Sequence, residues 1–313
     1  MLRLSASATL AAMAEEKRRS ASFWVLIGGG LFVVFVAVVG LLGYVAVQVI
    51  GGSANFGNSI GVIDVDGVIL AADKTVDQLR TFDQDDSIKA IILHIDSPGG
   101  GAAASQEIYN EVRRIRDEKK KPIVASIQSV GASGAYYIAS GANKIYANDA
   151  SIVGSIGVIM EWTNYGDLLK WAKLRPEVLK AGSLKDAGSP TREMTPEERA
   201  YFQGLVDNMH TQFIRDVAAG RSMGTNVLTP LATGQVWTGQ QALSLHLIDK
   251  QGGFRDALLE TARQVGISGE PNVVKPPKKR RSLLDLVTSD ADDLWPNPEQ
   301  LLEKHAGFYF LWR

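Results

Sequence analysis

One predicted strand and the turn after it restrict most strongly how this 313-residue chain can fold. Residues 88–95, IKAIILHI, are apolar at nearly every position, as expected of a strand that is covered on both faces. The run DSPGGG at 96–101 follows, a turn that only a glycine-rich segment makes easily. Apolar residues then recur at helical spacing from 104 to 115. Strand, turn and helix in this order predict an amphipathic helix packed on a sheet.

The same alternation continues along the chain. Further strands are predicted at 60–65, 122–127, 144–147 and 155–160, with 128–131 as a turn, and helices at 75–82, 133–140 and 165–172. This order predicts an α/β fold with largely parallel strands and crossover helices. The sequence TPEE at 195–198 is a capping box with proline at the first helical position. It predicts a helix to about residue 219, followed by shorter helices near 239–245 and 254–265.

A long uncharged run near the start predicts a membrane span. No charged residue occurs from 23 to 50, and at ~1.5 Å per residue this run more than covers a hydrocarbon core of ~30 Å. A cleaved signal peptide is the alternative, but its apolar region is only about 7–15 residues long. Lys17, Arg18 and Arg19 precede the run, and no basic residue follows closely. The positive-inside rule therefore places the N-terminus inside and the large domain outside.

Five segments are predicted from these patterns. They are a cytoplasmic tail (1–21), a transmembrane helix (22–50), a flexible tether rich in Gly, Ser and Asn (51–58), a folded domain (59–270), and a basic linker with a C-terminal tail (271–313). The tail ends in several aromatic residues. They are expected at the membrane interface, on a neighbouring molecule, in the substrate groove, or in a disordered segment, and the sequence does not choose among these.

Composition excludes several classes of function. The 33 basic and 34 acidic side chains nearly balance, so nucleic acid is not an expected partner. Cysteine is absent, which rules out disulfides, thiolate metal sites and a cysteine nucleophile. The four histidines show no paired metal-binding spacing. We therefore expect neither a metal nor a cofactor.

The stretch GASGAYY at 131–137 carries the candidate nucleophile. It sets Ser133 where an apolar strand ends and a helical pattern begins. Free backbone N–H groups and the positive end of the helix dipole at such a position suit a residue that must stabilise a developing oxyanion. Serine is also a favoured helix cap, so this motif alone supports a structural and a catalytic interpretation about equally.

Two candidates could take the proton of a serine nucleophile. His94 and Asp96 are two apart on one strand, but neighbours on a strand point in parallel, so this aspartate is poorly placed to orient the ring. A lysine is the other candidate, since burial can make an amine neutral enough to act as a base. Lys185 lies in a loop of small residues, AGSLKDAGSP at 181–190. By itself a solvated loop lysine is the commoner explanation.

Four motifs together carry a family resemblance. They are DSPGGG at 96–101, GASGAYY at 131–137, GSIGV at 154–158 and KDAGSP at 185–190. In content, order and spacing they resemble the short-form bacterial signal peptide peptidase (protease IV-like) family over roughly residues 59–265. The resemblance implies a Clp protease/crotonase-like fold with repeated β-β-α units, preceded by one transmembrane helix.

The resemblance also implies a serine endopeptidase with a Ser–Lys dyad. Carried over by position, Ser133 is the nucleophile and Lys185 the general base. Ser155 hydrogen-bonds the lysine and helps to hold it. The backbone N–H groups of Gly100 and Gly134 form the oxyanion hole.

Assembly, substrate and location follow from the same resemblance. It implies a dome-shaped homo-octamer in which serine and lysine come from adjacent subunits, and signal-peptide-like apolar peptides as substrates. It places the chain in the bacterial inner membrane as a single-pass protein with a periplasmic peptidase domain. Two alternatives are a catalytically idle peptide-binding scaffold of the same fold and an acyl-CoA hydratase-like or isomerase-like enzyme. The predicted anchor disfavours the latter, since it directs the domain away from cytosolic coenzyme A.

Overall fold

The computed structural model describes residue 30 and residues 32–43, 59–276 and 307–312. Residues 32–43 form helix α1. Within these described ranges, no helix is both long and apolar enough to cross a membrane. The rest of the predicted span at 22–50 lies outside the described residues, as does most of the predicted tail. The chain divides into two units, Met1–Asn55 and Phe56–Arg313, and the second holds everything described below.

The second unit is built on a largely parallel sheet. Its strand order is β10-β1-β2-β4-β5-β9, with β6 paired to the far end of β4 and β8 antiparallel to β6. A separate antiparallel sheet has the order β3-β11-β7. The strands are β1 (Ser59–Asp66), β2 (Ile88–Ser97), β3 (Gly99–Gly101), β4 (Ile123–Ala132), β5 (Lys144–Ala147), β6 (Ile152–Gly154), β7 (Ile159–Glu161), β8 (Val236–Thr238), β9 (Lys250–Gln251), β10 (Asn272–Val274) and β11 (Gly307–Leu311).

Helices connect these strands and cover both faces of the main sheet. They are α2 (Asp73–Gln84), α3 (Ala102–Arg114) with a π-helical continuation (Ile115–Lys119), α4 (Gly134–Ser140), α5 (Gly166–Trp171), α6 (Pro196–Gly220), α7 (Thr225–Leu228) with a 3-10 turn (Thr229–Leu231), α8 (Gly239–Ser244) and α9 (Phe254–Gln264). Strand and helix alternate from β1 to β5, so the predicted α/β class is confirmed.

The two faces of the sheet form separate cores because side chains alternate along each strand. On one face Ile63 and Leu93 pack with α2, α3 and α4 in the larger core. On the other, Val62 and Ile92 pack with α9 in a smaller core. All four side chains are fully buried, which explains why β1 and β2 are apolar at consecutive positions.

Three local expectations differ from the structure. The predicted turn at 128–131 is strand, because β4 continues to Ala132 and its last residues pair with β6. Of the predicted strand at 155–160, only the last two residues are strand, in β7, which starts at Ile159; β6 lies before the prediction and ends at Gly154. Part of the predicted linker forms β10, which pairs in parallel with the start of β1. In each case the segment is or is not a strand because of pairing with another strand that is remote in sequence.

Helix α6 begins as its sequence predicts. The Thr195 hydroxyl accepts a hydrogen bond from the Glu198 N–H at 3.2 Å, and the Glu198 carboxylate accepts one from the Thr195 N–H at 2.9 Å. This reciprocal pair satisfies two helix-end donors. It also fixes where the long helix starts, directly after the loop that carries Lys185.

The cap yields a stability prediction. Thr195→Ala removes the side-chain acceptor, so we expect α6 to lose about 1 kcal/mol of local stability, while Thr195→Ser keeps the acceptor and most of the stability. Hydrogen exchange of the first turn, around Glu198 and Arg199, measures the difference. Equal exchange rates in the alanine and serine variants would contradict the role of the cap.

Candidate active site

Ser133 lies in the sharp turn between β4 and α4. Its backbone has φ 55° and ψ −119°, a conformation that residues with a side chain rarely adopt and that costs about 1–3 kcal/mol. Glycines flank it where there is no room for a side chain: a Cβ on Gly131 would lie 2.7 Å from the Ile127 side chain, and one on Gly134 would lie 2.3 Å from the Ser105 hydroxyl. Tight packing therefore holds the serine in a strained strand-to-helix turn, a backbone arrangement that also carries the nucleophilic serine of α/β-hydrolases.

The Ser133 hydroxyl is buried without a partner. The residue is 1% exposed, and its Oγ forms no hydrogen bond within the described residues. A buried hydroxyl normally finds a partner, so an unpaired one calls for a specific explanation such as a catalytic role. The backbone around it is fully engaged: the Ser133 N–H donates to the Gly154 carbonyl at 2.7 Å, and its carbonyl accepts from Tyr137 at 2.8 Å.

Ser155 lies beside Ser133 because of strand register. Ala132 of β4 pairs with Gly154 of β6 in parallel, so the next residue of each strand occupies the same level of the sheet. Ser155 also has a positive φ, 54°, and is 6% exposed. Its N–H donates to the Gln235 carbonyl at 2.8 Å. The structure thus brings together two of the predicted site residues, each on a strained turn.

The predicted oxyanion-hole glycines also converge here. A Cβ on Gly134 would lie 3.2 Å from the Gly100 nitrogen. A Cβ on Gly99, whose φ is 99°, would lie 2.7 Å from the Gly134 nitrogen. The start of α4 and the glycine turn after β2 are therefore in direct backbone contact. Only residues without side chains allow this approach.

Backbone and serine hydrogen bonds hold the glycine turn in place. The Gly99 N–H donates to the Ser97 hydroxyl at 3.1 Å, and that hydroxyl donates to the Gly67 carbonyl at 2.5 Å. Ile69 contacts the turn on both sides of Gly100. Its N–H donates to the Gly99 carbonyl at 2.9 Å, and its carbonyl accepts from the Gly101 N–H at 2.8 Å. These contacts fix the direction of the Gly100 peptide. The sequence patterns did not indicate this role of Ser97 and Ile69.

Two tyrosines anchor helix α4 behind the serine. The Tyr136 hydroxyl donates to the Leu247 carbonyl at 2.7 Å, and the Tyr137 hydroxyl donates to the Asp216 carboxylate of α6. Burial raises the pKa of both phenols, and the Asp216 carboxylate raises that of Tyr137 further. Both phenols therefore remain protonated donors at physiological pH and tie helix α4 to the rest of the core.

Lys185 is itself exposed and lies in a partly exposed loop at 181–189. Its N–H donates to the Gly182 carbonyl at 3.2 Å. The Ser133 Oγ has no hydrogen-bond partner within the described residues, so Lys185 does not hydrogen-bond it. The structure of one chain therefore brings together Ser133, Ser155, Gly100 and Gly134 without a hydrogen bond from Lys185 to Ser133.

An arginine at the base of the loop organises it. Arg192 donates to the Asp186 carboxylate at 3.0 Å and to its carbonyl at 3.1 Å, and to the Glu198 carboxylate at 2.9 Å. Hydrogen bonding by Arg192 lowers the pKa of Glu198 to about 2, with the Thr195 N–H contributing. Lys180 and then Arg192 lower the pKa of Asp186. The residue after Lys185 is thus tied to the capped start of α6.

The histidine alternative is not formed. His94 Nδ1 lies 3.2 Å from the Asp64 carboxylate, and its Nε2 contacts the Gln128 amide. Asp96 instead accepts a hydrogen bond from the Val130 N–H at 3.0 Å. Both ring nitrogens of His94 are therefore engaged by side chains on neighbouring strands, rather than by the backbone, and none of these contacts involves Ser133.

A strand lies across the front of the site. Strand β11 runs antiparallel between β3 and β7, with Phe310 opposite Gly100 and Leu311 opposite Gly99. Beyond the strand, the Trp312 N–H donates to the Pro98 carbonyl at 2.8 Å. Of the locations that the sequence left open for the tail, the structure places these residues in the groove beside the candidate nucleophile. The aromatic run at 308–312 was the only sequence signal for it.

The chain is similar to known peptidases. The model of peptidase family S49 matches residues 115–268, and that of Clp protease matches residues 68–152. A candidate protease of Synechocystis sp. is 39% identical over 199 residues, which are 64% of this chain and 69% of that protein. The chain belongs to peptidase family S49.

Two further relatives are similar over a smaller share of their own length. A candidate signal peptide peptidase SppA of Enterococcus faecium is 38% identical over 181 residues, 58% of this chain and 52% of that protein. Protease 4 of Salmonella typhi is 32% identical over 218 residues, 67% of this chain and 35% of that protein. The matched region spans from about one third to about two thirds of these relatives. The predicted SppA/protease IV-like family, the Clp protease-like α/β domain and the serine peptidase class are confirmed.

The glycine contacts of this S49 peptidase yield a kinetic prediction. Gly134→Ala forces a methyl group against the Ser105 hydroxyl and towards the Gly100 nitrogen, so we expect kcat/KM for peptide cleavage to fall about 100-fold or more. Gly204→Ala is the control, since a Cβ there meets no atom within 4 Å. Unchanged cleavage by the Gly134 variant would contradict the role of this turn.

The Lys185 loop yields a second prediction. Arg192→Ala should raise hydrogen exchange over residues 181–195 and lower kcat/KM about 10- to 100-fold, since the loop loses its positioning. Arg255→Ala, which breaks an exposed pair with Glu270, is the control.

The same contact predicts a pH dependence. Because the Glu198 pKa is depressed from 4.5 to about 2, the Arg192–Glu198 pair stabilises the folded loop above pH 4.5 and loses this effect as pH falls towards 2. Loop protection that is insensitive to Arg192→Ala would contradict this role.

Proposed function

We propose that this protein is a membrane-anchored serine endopeptidase that uses a Ser133–Lys185 dyad to degrade cleaved signal peptides and other small membrane-associated peptides. The observation that carries the proposal is the buried, unpartnered Ser133 hydroxyl on a strained turn beside the Gly100 and Gly134 nitrogens. Acyl transfer requires a nucleophile and hydrogen-bond donors for the oxyanion close to it, and Ser133 and these two backbone N–H groups would supply both.

The groove supports a peptide substrate in extended form. Strands β3 and β7 are the two sides of a slot that accepts an antiparallel strand between them, as β11 shows. Adding a strand to exposed edges lets backbone hydrogen bonds provide affinity, while pockets for alternate side chains provide selectivity. Such a site acts on an unfolded or extended peptide rather than on a folded surface.

The proposed chemistry has two halves. In the first, Ser133 Oγ attacks the peptide carbonyl carbon while its proton moves to the neutral Lys185 amine, and the oxyanion accepts hydrogen bonds from the Gly100 and Gly134 N–H groups. The lysine then protonates the leaving nitrogen, and the C–N bond breaks to give an acyl-serine and a free amine. In the second half, water gives its proton to the lysine and attacks the ester. Collapse releases the carboxyl product and returns the proton to Ser133.

We propose that the lysine of each site comes from an adjacent subunit of a homo-octamer, with Ser155 of the serine-bearing subunit holding it. Two features support this arrangement. Lys185 is exposed, and the segment just before its loop exposes large apolar side chains, including Trp171 at 81% and Leu179 at 103%. Apolar side chains at such density are typical of a surface covered by another molecule.

Location and substrate rest on two further points. The uncharged run at 23–50, preceded by basic residues, supports an anchor with the peptidase domain on the periplasmic side of a bacterial inner membrane. The name of the Enterococcus faecium relative supports cleaved signal peptides as the substrate class. A domain anchored close to the bilayer would meet such peptides where they remain after secretion.

Single substitutions test the dyad. In the full-length chain, Ser133→Ala and Lys185→Met should each lower kcat/KM for an apolar peptide at least about 1000-fold, since the two groups act as a unit. His94→Ala should keep most of the activity, because its ring contacts other residues. Near-normal turnover in either of the first two variants would overturn the dyad, whereas no cleavage by the parent chain would favour a catalytically idle scaffold.

Co-expression of the two inactive chains tests whether the site is shared. If serine and lysine come from different subunits, random assembly of the Ser133→Ala and Lys185→Met chains should restore roughly a quarter of the sites. Separately purified variants mixed without exchange are the control. A co-expressed sample no more active than either variant would place both groups in one chain.

A further inference from the structure

Two consecutive side chains at the end of β2 reach in opposite directions across the sheet. The Ser97 hydroxyl donates to the Gly67 carbonyl, just beyond the end of β1, at 2.5 Å. The Asp96 carboxylate accepts from the Val130 N–H of β4 at 3.0 Å. The glycine turn follows directly after these two residues, and β4 leads into the Ser133 turn. Asp96 and Ser97 therefore lie between the two proposed halves of the active site.

The pairing of β2 with β4 is irregular at this point. Ile95 pairs with Ile127. The next pair is Ser97 with Gly131, so β2 advances by two residues while β4 advances by four. Extra residues at such a bulge lack regular ladder partners and redirect the chain that follows. The Asp96 carboxylate provides the acceptor for one N–H group of this bulge, and so fixes the offset of β4 directly before the nucleophile turn.

The Ser97 hydroxyl holds the glycine turn from the other side. Besides donating to the Gly67 carbonyl, it accepts from the Gly99 N–H at 3.1 Å. The Gly67 N–H in turn donates to the Asp96 carbonyl at 3.0 Å. Ser97 and Gly99 are both buried. Loss of the hydroxyl would leave the Gly99 N–H without its acceptor, and an unpaired buried N–H is costly enough to favour a shift of the turn.

The proposed chemistry depends on how these two turns are spaced. An oxyanion-hole donor acts when it lies about 2.7–3.1 Å from the developing oxyanion. The Gly100 N–H belongs to the turn that Ser97 holds, and the Ser133 hydroxyl belongs to the turn after the bulge that Asp96 holds. A misplacement of about 1 Å between reacting groups can lower a rate about 100-fold. The two side chains thus act on a distance to which catalysis is sensitive.

We propose that Asp96 and Ser97 are positioning residues that together set the spacing between the Gly100 N–H and the Ser133 hydroxyl. The proposal rests on the peptidase function proposed above and adds the residues that align its two turns. Both residues act through the backbone that they hold. In this role Asp96 contributes an acceptor for a backbone N–H, rather than the acid that would orient His94 in a triad.

A kinetic comparison tests Ser97 against a matched serine. Ser151 is also buried, and its hydroxyl likewise accepts from a backbone N–H, that of Asn148 at 3.1 Å, and donates to a carbonyl, that of Gln128. In the full-length chain, Ser97→Ala should lower kcat for an apolar peptide about 10- to 100-fold and change KM by less than about threefold. Ser151→Ala should keep kcat within about threefold of the parent value. Equal losses in the two variants, or a change confined to KM, would overturn the role of Ser97.

Asp96 is tested by keeping or removing its acceptor. Asp96→Asn retains a side-chain oxygen for the Val130 N–H, whereas Asp96→Ala does not. We expect kcat to stay within about threefold of the parent value in the asparagine variant and to fall at least about tenfold in the alanine variant. Similar losses in both variants would assign the effect to the negative charge and overturn the positioning role, as would full activity of the alanine variant.

Combining the two alanine substitutions tests whether the side chains act together. If both set one spacing, either substitution alone already loses the alignment. The double variant should then lose clearly less kcat than the product of the two single losses. A loss equal to that product would mean that the residues act independently, which would overturn the joint role.

Hydrogen exchange provides a readout that needs no turnover. Exchange over residues 97–101 should rise at least about tenfold in Ser97→Ala and stay near the parent value in Ser151→Ala, because the Gly99 N–H donates to the Ser97 hydroxyl. Unchanged exchange in Ser97→Ala would overturn its hold on the turn. Absence of cleavage by the parent chain would count against the peptidase function alone, because the exchange experiment still decides whether Ser97 holds the turn.

Discussion

The parallel pairing of β4 with β6 is the constraint on which the site depends. It places Ala132 opposite Gly154, and the Ser133 N–H then donates to the Gly154 carbonyl at 2.7 Å. Immediately beyond this point both strands turn, and Ser133 and Ser155 each take a positive φ. Two unfavourable backbone conformations persist side by side because the sheet and α4 hold both turns. This register therefore brings the two turns together.

Close backbone contact is the second requirement, and each glycine of the turn meets a different neighbour. A Cβ on Gly100 would lie 2.1 Å from the Ile69 carbonyl oxygen, whereas a Cβ on Gly99 would collide with the Phe310 carbonyl oxygen. One glycine thus allows the turn to pack on its own domain, and the other leaves space for a peptide in the groove. The proposed oxyanion-hole donor Gly100 and the edge for an added strand therefore belong to the same short segment.

Local patterns predicted what depends on local chemistry. The apolar run of β2, the serine at the start of α4 and the capping box at Thr195 all lie where the sequence placed them. The errors concern pairing between distant segments. Residues 128–131 read as a turn because of their polar and glycine content, yet β6 pairs with their end and keeps them extended. Strands β10 and β11 have little signal of their own and are strands because β1, β3 and β7 offer free edges.

Lys185 is exposed and forms no hydrogen bond to Ser133 within the described residues, which suggests why such a site would be divided between subunits. An ammonium group is favoured by water, and only desolvation favours the neutral amine that can take a proton from serine. A lysine on an exposed loop becomes desolvated when another surface covers it, so docking of two chains would create both the base and the contact. Arg192 holds the loop in shape beforehand, which lowers the ordering cost of that docking. In such an arrangement an isolated chain carries a strained, buried nucleophile with no base, and hydrolysis depends on assembly.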